Sequence, residues 1–233
     1  IRAESCMKVM CVGTDARVRS CAFWAFLAKL VKMHRSNLRV NILIKDEDCY
    51  KFNGFNSIPK GTIHSTSQVK EYIDYSKNVT DDIVLFNVIY NPYVFNELQK
   101  EEWATSQTET VTSLLSIFSR DNTLHLLIAE DAKKTKEKCS YLDSEFRNRI
   151  ISVGNTVTIK QAISADLWDK ITDCGFNIIR SNVIKAYYYN KSTDKLGRFR
   201  MFDINDLISC VDFSCLNSDS NDEESGYSGL VGN

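Results

Sequence analysis

Short apolar runs of strand length alternate along this chain with stretches whose apolar residues recur every three to four positions. That is the pattern of strand–helix crossover units built around a parallel sheet. A first strand is predicted at Lys8–Gly13 (KVMCVG), followed by a helix near Ser20–Met33 that carries Phe23, Phe26, Leu27, Leu30 and Val31 on one stripe. The second strand, Arg39–Ile44, runs into the acidic cluster Asp46, Glu47, Asp48, and a helix at Gln68–Ser76 buries Val69, Tyr72 and Ile73. Strand three is Asp82–Phe86, with a helix near Glu109–Phe118 behind it. Thr123–Ala129, a helix near Leu142–Ile151 and a strand at Thr156–Lys160 repeat the rhythm. A helix at Ala165–Cys174 then stops at Gly175, where positive φ is available. Phe176–Arg180 and Ile184–Tyr189 complete the set. Their connection, Ser181–Val183, is too short for a parallel crossover, so these two strands are antiparallel to each other.

The fold class expected from this order is α/β: a three-layer sheet of seven strands, mostly parallel, ending in an antiparallel hairpin. At 233 residues and 43% apolar content, the chain suits one domain over residues 1–200 with an acidic C-terminal segment at 201–233. From about residue 217 that segment is rich in Ser, Asp, Asn and Gly and is expected to be flexible. The longest apolar run, Cys21–Ala28, falls far short of the roughly 20 residues that cross a bilayer, so no membrane partner is expected. Eight cysteines without a Cys-x-x-Cys pair, several inside apolar runs, point to a reduced, cytoplasmic setting. The start of the chain does not read as a secretory leader.

The element order resembles that of the class I S-adenosylmethionine-dependent methyltransferases, whose seven-stranded sheet also ends in an antiparallel hairpin. The resemblance spans residues 8–190. It implies S-adenosylmethionine as cofactor, held by the turn Gly13-Thr14-Asp15 after the first strand, although of the family's glycine-rich loop only Gly13 is present. It further implies a carboxylate on the ribose hydroxyls, Asp46 or Glu47, and Asn87 at the adenine. Ala129-Glu130-Asp131 and Ile159-Lys160-Gln161 are similar to the strand ends of the FtsJ-like and nidovirus cap ribose 2′-O-methyltransferases. In that family a lysine of lowered pKa takes the hydroxyl proton, so Lys160 would be the base and Asp131 its orienting partner. The glutamate of that family's tetrad is absent, since Ile184 and Lys185 stand where it belongs.

The function so implied is methyl transfer to the ribose of a capped RNA 5′ end, in a viral context and in the host cytoplasm. Two alternatives stand beside it. One is a binding module that keeps the methyltransferase fold without its chemistry, with or without a protein partner subunit. The other is a protein-lysine methyltransferase, because Asn87-Val88-Ile89-Tyr90-Asn91-Pro92 looks like the Asp-Val-Ile-Tyr-Asp-Pro motif of that family.

Charge adds an RNA path. The net charge of -1 hides nine Lys/Arg against two acids in residues 1–45 and seven acids with no Lys/Arg in residues 201–233. Arg17 and Arg19 lie closest to the expected cofactor end and are the candidates for positioning RNA there. Other signals are slight. His64-Ser65-Thr66 is half of a two-histidine phosphoesterase signature, and His125-Leu126-Leu127 lacks the hydroxyl residue for the other half. No metal site is expected from three scattered histidines, and no Gly-x-x-x-x-Gly-Lys phosphate loop is present. Tyr187-Tyr188-Tyr189 could stack bases, or alternate across a strand into the core.

Overall fold

The computed structural model describes residues 6–34, 36–45, 63–65, 68–91, 107–152, 156–173, 185–201, 204–213 and 216. Eight strands form one sheet: β1 (Met7–Val12), β2 (Leu38–Leu43), β3 (Ile63–His64), β4 (Val84–Tyr90), β5 (Thr123–Ala129), β6 (Asn148–Ser152), β7 (Lys185–Asn190) and β8 (Lys195–Arg200). Their order is β3-β2-β4-β5-β1-β6-β7-β8. The first six are mutually parallel; β7 and β8 close the sheet as an antiparallel hairpin. β4 and β5 are buried along their whole length, as expected for strands covered on both faces.

One face is covered by α1 (Ala16–His34), whose Phe23 stacks on Phe86 of β4 at 5.6 Å. Side chains buried as fully as Phe23 and Leu27 each contribute about 1.5–3 kcal/mol. The other face carries α2 (Val69–Asn78), α3 (Gln107–Ile117), α4 (Ala132–Lys138), α5 (Ser140–Glu145), α6 (Thr156–Ala162) and α7 (Ala165–Asp173). A last helix, α8 (Ile204–Ser209), returns to pack beside α1.

The structure corrects the sequence expectation in five places. The strand expected at Asp82–Phe86 is β4, which starts at Val84 and runs on to Tyr90, so that Asn87 lies inside it. Thr156–Lys160 is the helix α6, not a strand. Its β-branched residues suggested a strand, but Ile159, Ala162 and Ile163 recur at helical spacing and are buried together. The fifth full-length parallel strand is instead β6, which lies inside the helix expected at Leu142–Ile151; α5 occupies only the start of that stretch. The strand count rises from seven to eight because β3 is two residues long, below what an apolar pattern can reveal. The hairpin runs through Lys185–Asn190 and the basic segment Lys195–Arg200, turning at residues 191–194 with Asp194 at φ 50°. Phe176–Arg180 lies outside the described residues, as do Asp46, Glu47 and residues 217–233.

Strand placement matters more than strand count. In the doubly wound sheet of dinucleotide-binding proteins the first strand lies beside the second. Here β4 and β5 stand between β1 and β2. No helix among the described residues is long and apolar enough to cross a membrane.

Candidate functional site

From β1 the chain crosses to β2 in one direction, whereas from β5 it crosses over β1 to β6 in the other. Neighbouring strands whose connections diverge open a crevice at their carboxyl ends, and ligands of parallel α/β sheets bind there. Such a position exists between β1 and β5, whose carboxyl ends lead into Gly13, Thr14 and Asp15 on one side and Glu130 and Asp131 on the other.

The Gly13 N–H donates to the Ala129 carbonyl at 3.0 Å, and its φ of 140° lies where side chains are rarely tolerated. Only Thr14 and Asp15 then separate it from α1. Asp15 caps this helix: its Oδ1 accepts the Arg17 N–H at 2.9 Å, and its carbonyl accepts the N–H groups of Val18 and Arg19. The Arg17 guanidinium folds back on the same carboxylate, with Nε at 3.1 Å and Nη2 at 2.8 Å. Hydrogen bonding to Arg17 holds the Asp15 carboxyl below the usual carboxylate range.

Arg19 is 6% exposed. One of its amino groups donates to the Gly13 carbonyl, and the other lies 3.0 Å from Glu130 Oε1. The Arg19 side chain therefore ties the turn after β1 to the turn after β5. Asp131 caps α4, accepting the Lys134 N–H at 3.0 Å. Both acids beyond β5 thus serve contacts within the chain.

Lys160 is exposed within α6, a helix that packs against α4, the helix Asp131 caps, and it does not end a strand. Asn87 lies in the middle of β4 and is buried; its Oδ1 accepts from Asn41 Nδ2 at 3.1 Å, and that amide also donates to Ser76 Oγ at 2.8 Å. This amide ladder fastens α2 to the sheet, deep beneath the strand ends where an adenine would sit. His125, paired with Asn87 on one side and Lys8 on the other, is fully buried, and burial pushes its pKa down to about 3. The described residues contain no cluster of His, Cys, Asp or Glu able to hold a metal ion.

No protein-family model and no curated protein matches this sequence. Solved structures do. The genome packaging NTPase B204 from Sulfolobus turreted icosahedral virus 2, in complex with sulfate, matches with a TM-score of 0.53 and 10% identity, over 85% of this chain and 98% of that one. EssC (ATPases 2 and 3) from Geobacillus thermodenitrificans matches with a TM-score of 0.53 and 9% identity, over 91% of this chain and 43% of that one. The cytoplasmic domain of the Thermomonospora curvata type VII secretion ATPase EccC matches with a TM-score of 0.50 and 15% identity, over 82% of this chain. The chain spans 25% of the length of that EccC domain. The chain shares the fold of these three structures.

This likeness overturns the methyltransferase resemblance, in both its ribose 2′-O and its protein-lysine forms, and with it RNA capping and S-adenosylmethionine as cofactor. Element order misled because both kinds of sheet alternate strands with helices. The position of β1 between β5 and β6 separates them, and no residue pattern displays that position.

Gly13-Thr14-Asp15-Ala16-Arg17-Val18-Arg19-Ser20 has the length of the phosphate-loop pattern Gly-x-x-x-x-Gly-Lys-Ser/Thr, with Val18 for the second glycine and Arg19 for the lysine. The available signal was the spacing from Gly13 to Ser20; with two of its four defining residues changed, it does not stand out from the sequence alone.

Proposed function

We propose that this chain is a non-hydrolysing ATPase-fold module whose nucleotide crevice is closed from within. The observation that carries the reading is the start of α1 at Ala16, with Asp15 on its amides and Arg19 drawn across to Glu130. A phosphate loop works because successive backbone N–H groups, uncovered ahead of the helix, converge on the phosphates. Here the N–H groups of Arg17, Val18 and Arg19 already have acceptors in Asp15. The Asp15 carboxylate thus takes the Arg17 amide and the Asp15 carbonyl the next two, and the Arg19–Glu130 salt bridge joins the two turns.

Hydrolysis also needs Mg²⁺, which phosphate-loop enzymes hold through the loop hydroxyl and an aspartate. Of the carboxylates beside the turn, Glu130 pairs with Arg19 and Asp131 caps α4, while β4 ends in Tyr90 and Asn91, neither of them a carboxylate, and Asn91 is tied by its N–H to the Ile128 carbonyl of β5 at 2.7 Å. The EssC structure is described as ATPases 2 and 3, and this chain covers 43% of it. By that analogy the module takes its place beside ATPase domains in a larger assembly and contributes structure there.

Calorimetry with Mg·ATP and a phosphate-release assay on the purified chain test the reading together. The expected result is no binding heat at millimolar nucleotide and no release above the protein-free rate. Saturable release of phosphate, abolished by Arg19→Ala, would overturn it.

A further inference from the structure

Of the three consecutive tyrosines in β7, Tyr189 is buried and Tyr187 packs partly against the core, whereas Tyr188 points outward and is 39% exposed. The Tyr188 hydroxyl donates to Asn148 Oδ1 at 2.7 Å, which holds the ring in one orientation across β6 and β7. Directly opposite Tyr188 on β8 is Gly197, and a Cβ built there would meet nothing within 4 Å. The backbone gives no reason for this glycine, because its φ is not in the left-handed region. A glycine inside a strand weakens it and marks a place where something else comes close. A Cβ there would stand clear of the Tyr188 ring, so the glycine keeps the space beside the ring open against longer side chains, and among the described residues nothing fills it.

β8 carries three cations, one of them on the face of this opening. Lys195 shares the face of Tyr188 and Gly197, while Arg198 and Arg200 leave the opposite face of the same strand. All three are exposed, and none forms an ion pair among the described residues. β8 is the last strand of the sheet. Cations alone on such an edge are explained by protection against unwanted strand pairing. A bare glycine beside an exposed aromatic ring works against that protection, so it calls for another cause.

We propose that the β7–β8 hairpin binds single-stranded nucleic acid, with a base stacked on Tyr188 beside Gly197, a phosphate at Lys195 on the same face, and the backbone continuing round the open edge of β8 to Arg198 and Arg200. Aromatic platforms flanked by cations bind single strands through stacking and phosphate neutralisation, with little regard to sequence. The cationic edge is about 16 Å long, so the contact is a short run of nucleotides.

Fluorescence anisotropy with short labelled oligo(dT) and oligo(U), at about 50 and 200 mM salt, tests this on the full chain. The wild type should bind, and Tyr188→Phe should bind as well. Tyr188→Ala should weaken binding about tenfold or more. Gly197→Val, which fills the opening on the platform, should weaken it similarly while leaving the unfolding midpoint unchanged or raised. Arg198→Ala/Arg200→Ala should flatten the log–log salt slope by about 1.4. Absence of binding by the wild type, or full affinity in both Tyr188→Ala and Gly197→Val, would overturn the proposal. So would displacement of the oligonucleotide by poly-glutamate together with indifference to Tyr188→Ala, which would make the hairpin a site for acidic peptides.

Discussion

A Cβ placed on Gly13 would stand 2.3 Å from the Cβ of Ser152, so the end of β1 touches the end of β6 with no room for a side chain. Gly13 is therefore required twice, by its φ of 140° and by this contact. Gly13→Ala should lower stability by about 2–3 kcal/mol, read as a shift in urea midpoint at constant m-value. Ser152→Gly in the same chain should recover the steric share and leave the backbone share, so the double variant should fall between the wild type and Gly13→Ala. An unshifted midpoint in Gly13→Ala would mean that the turn after β1 relaxes away from β6.

A second constraint fixes β6 from its other face. Arg149 is buried there, with Nη2 2.8 Å from Asp143 Oδ1 and Nη1 2.8 Å from the Ala162 carbonyl, while Lys191 reaches Asp143 Oδ2 at 3.0 Å. This network joins α5, α6 and the β7–β8 turn to one strand. Asp143→Asn leaves a buried guanidinium without its counter-charge and should cost about 3 kcal/mol or more in chemical denaturation. Arg149→Met combined with Asp143→Leu removes both charges and should restore a large part of that loss. If the single variant were as stable as the wild type, water rather than Asp143 would be solvating Arg149.

β1 and β5 are legible because their sequences are nearly unbroken apolar runs, KVMCV and TLHLLIA; β4 is legible only in its first half, because the polar Asn87 interrupts the run and the strand expected to end at Phe86 continues to Tyr90. α1 was legible from its stripe, though not its first turn, since Ala16–Arg19 carries charges that serve the crevice rather than the core. Thr156–Lys160 and Asn148–Ser152 exchanged roles because five-residue segments are too short for periodicity to separate helix from strand. Strand order was beyond reach, because it depends on which crossover passes over which strand. The site followed the order: Lys160 and Asp131 were paired on the assumption of two neighbouring strand ends, and Lys160 stands on a helix. The Arg19–Glu130 bridge joins residues far apart in sequence, so only the assembled sheet shows it.

If the crevice is closed by the geometry of Asp15 and α1, restoring the sequence pattern alone should not restore chemistry. Val18→Gly/Arg19→Lys recreates Gly-x-x-x-x-Gly-Lys-Ser from Gly13 to Ser20. Phosphate release from ATP should stay at the protein-free rate in this variant, because Asp15 still caps α1 and β4 still ends without a carboxylate. Removing Arg19 also frees Glu130 from its bridge, and stability should fall by about 1–3 kcal/mol. Measurable ATP turnover in the double variant would show that the two substitutions, and not the helix start, had closed the site.

The pH dependence of folding should report on His125. Burial first, then the positive charges of Lys8 and Arg120, push its folded-state pKa down to about 3 from the ordinary 6.5. The nearby Ile117 carbonyl opposes the shift without forming a well-aligned hydrogen bond. Below pH 6.5 the unfolded chain binds a proton at this position that the folded chain refuses until pH approaches 3. Stability contributed by the neutral imidazole is therefore fully present above 6.5 and is lost as pH falls, by about 1.4 kcal/mol per pH unit within that window. His125→Leu removes the titrating group and strands no partner, since neither ring nitrogen makes a hydrogen bond. Urea denaturation of the two proteins from pH 7 downward should show His125→Leu gaining on the wild type below pH 6.5, with the gap widening by that increment. Parallel stability profiles would mean that the folded protein admits a proton to His125, and that the core around Phe118 opens to accommodate it.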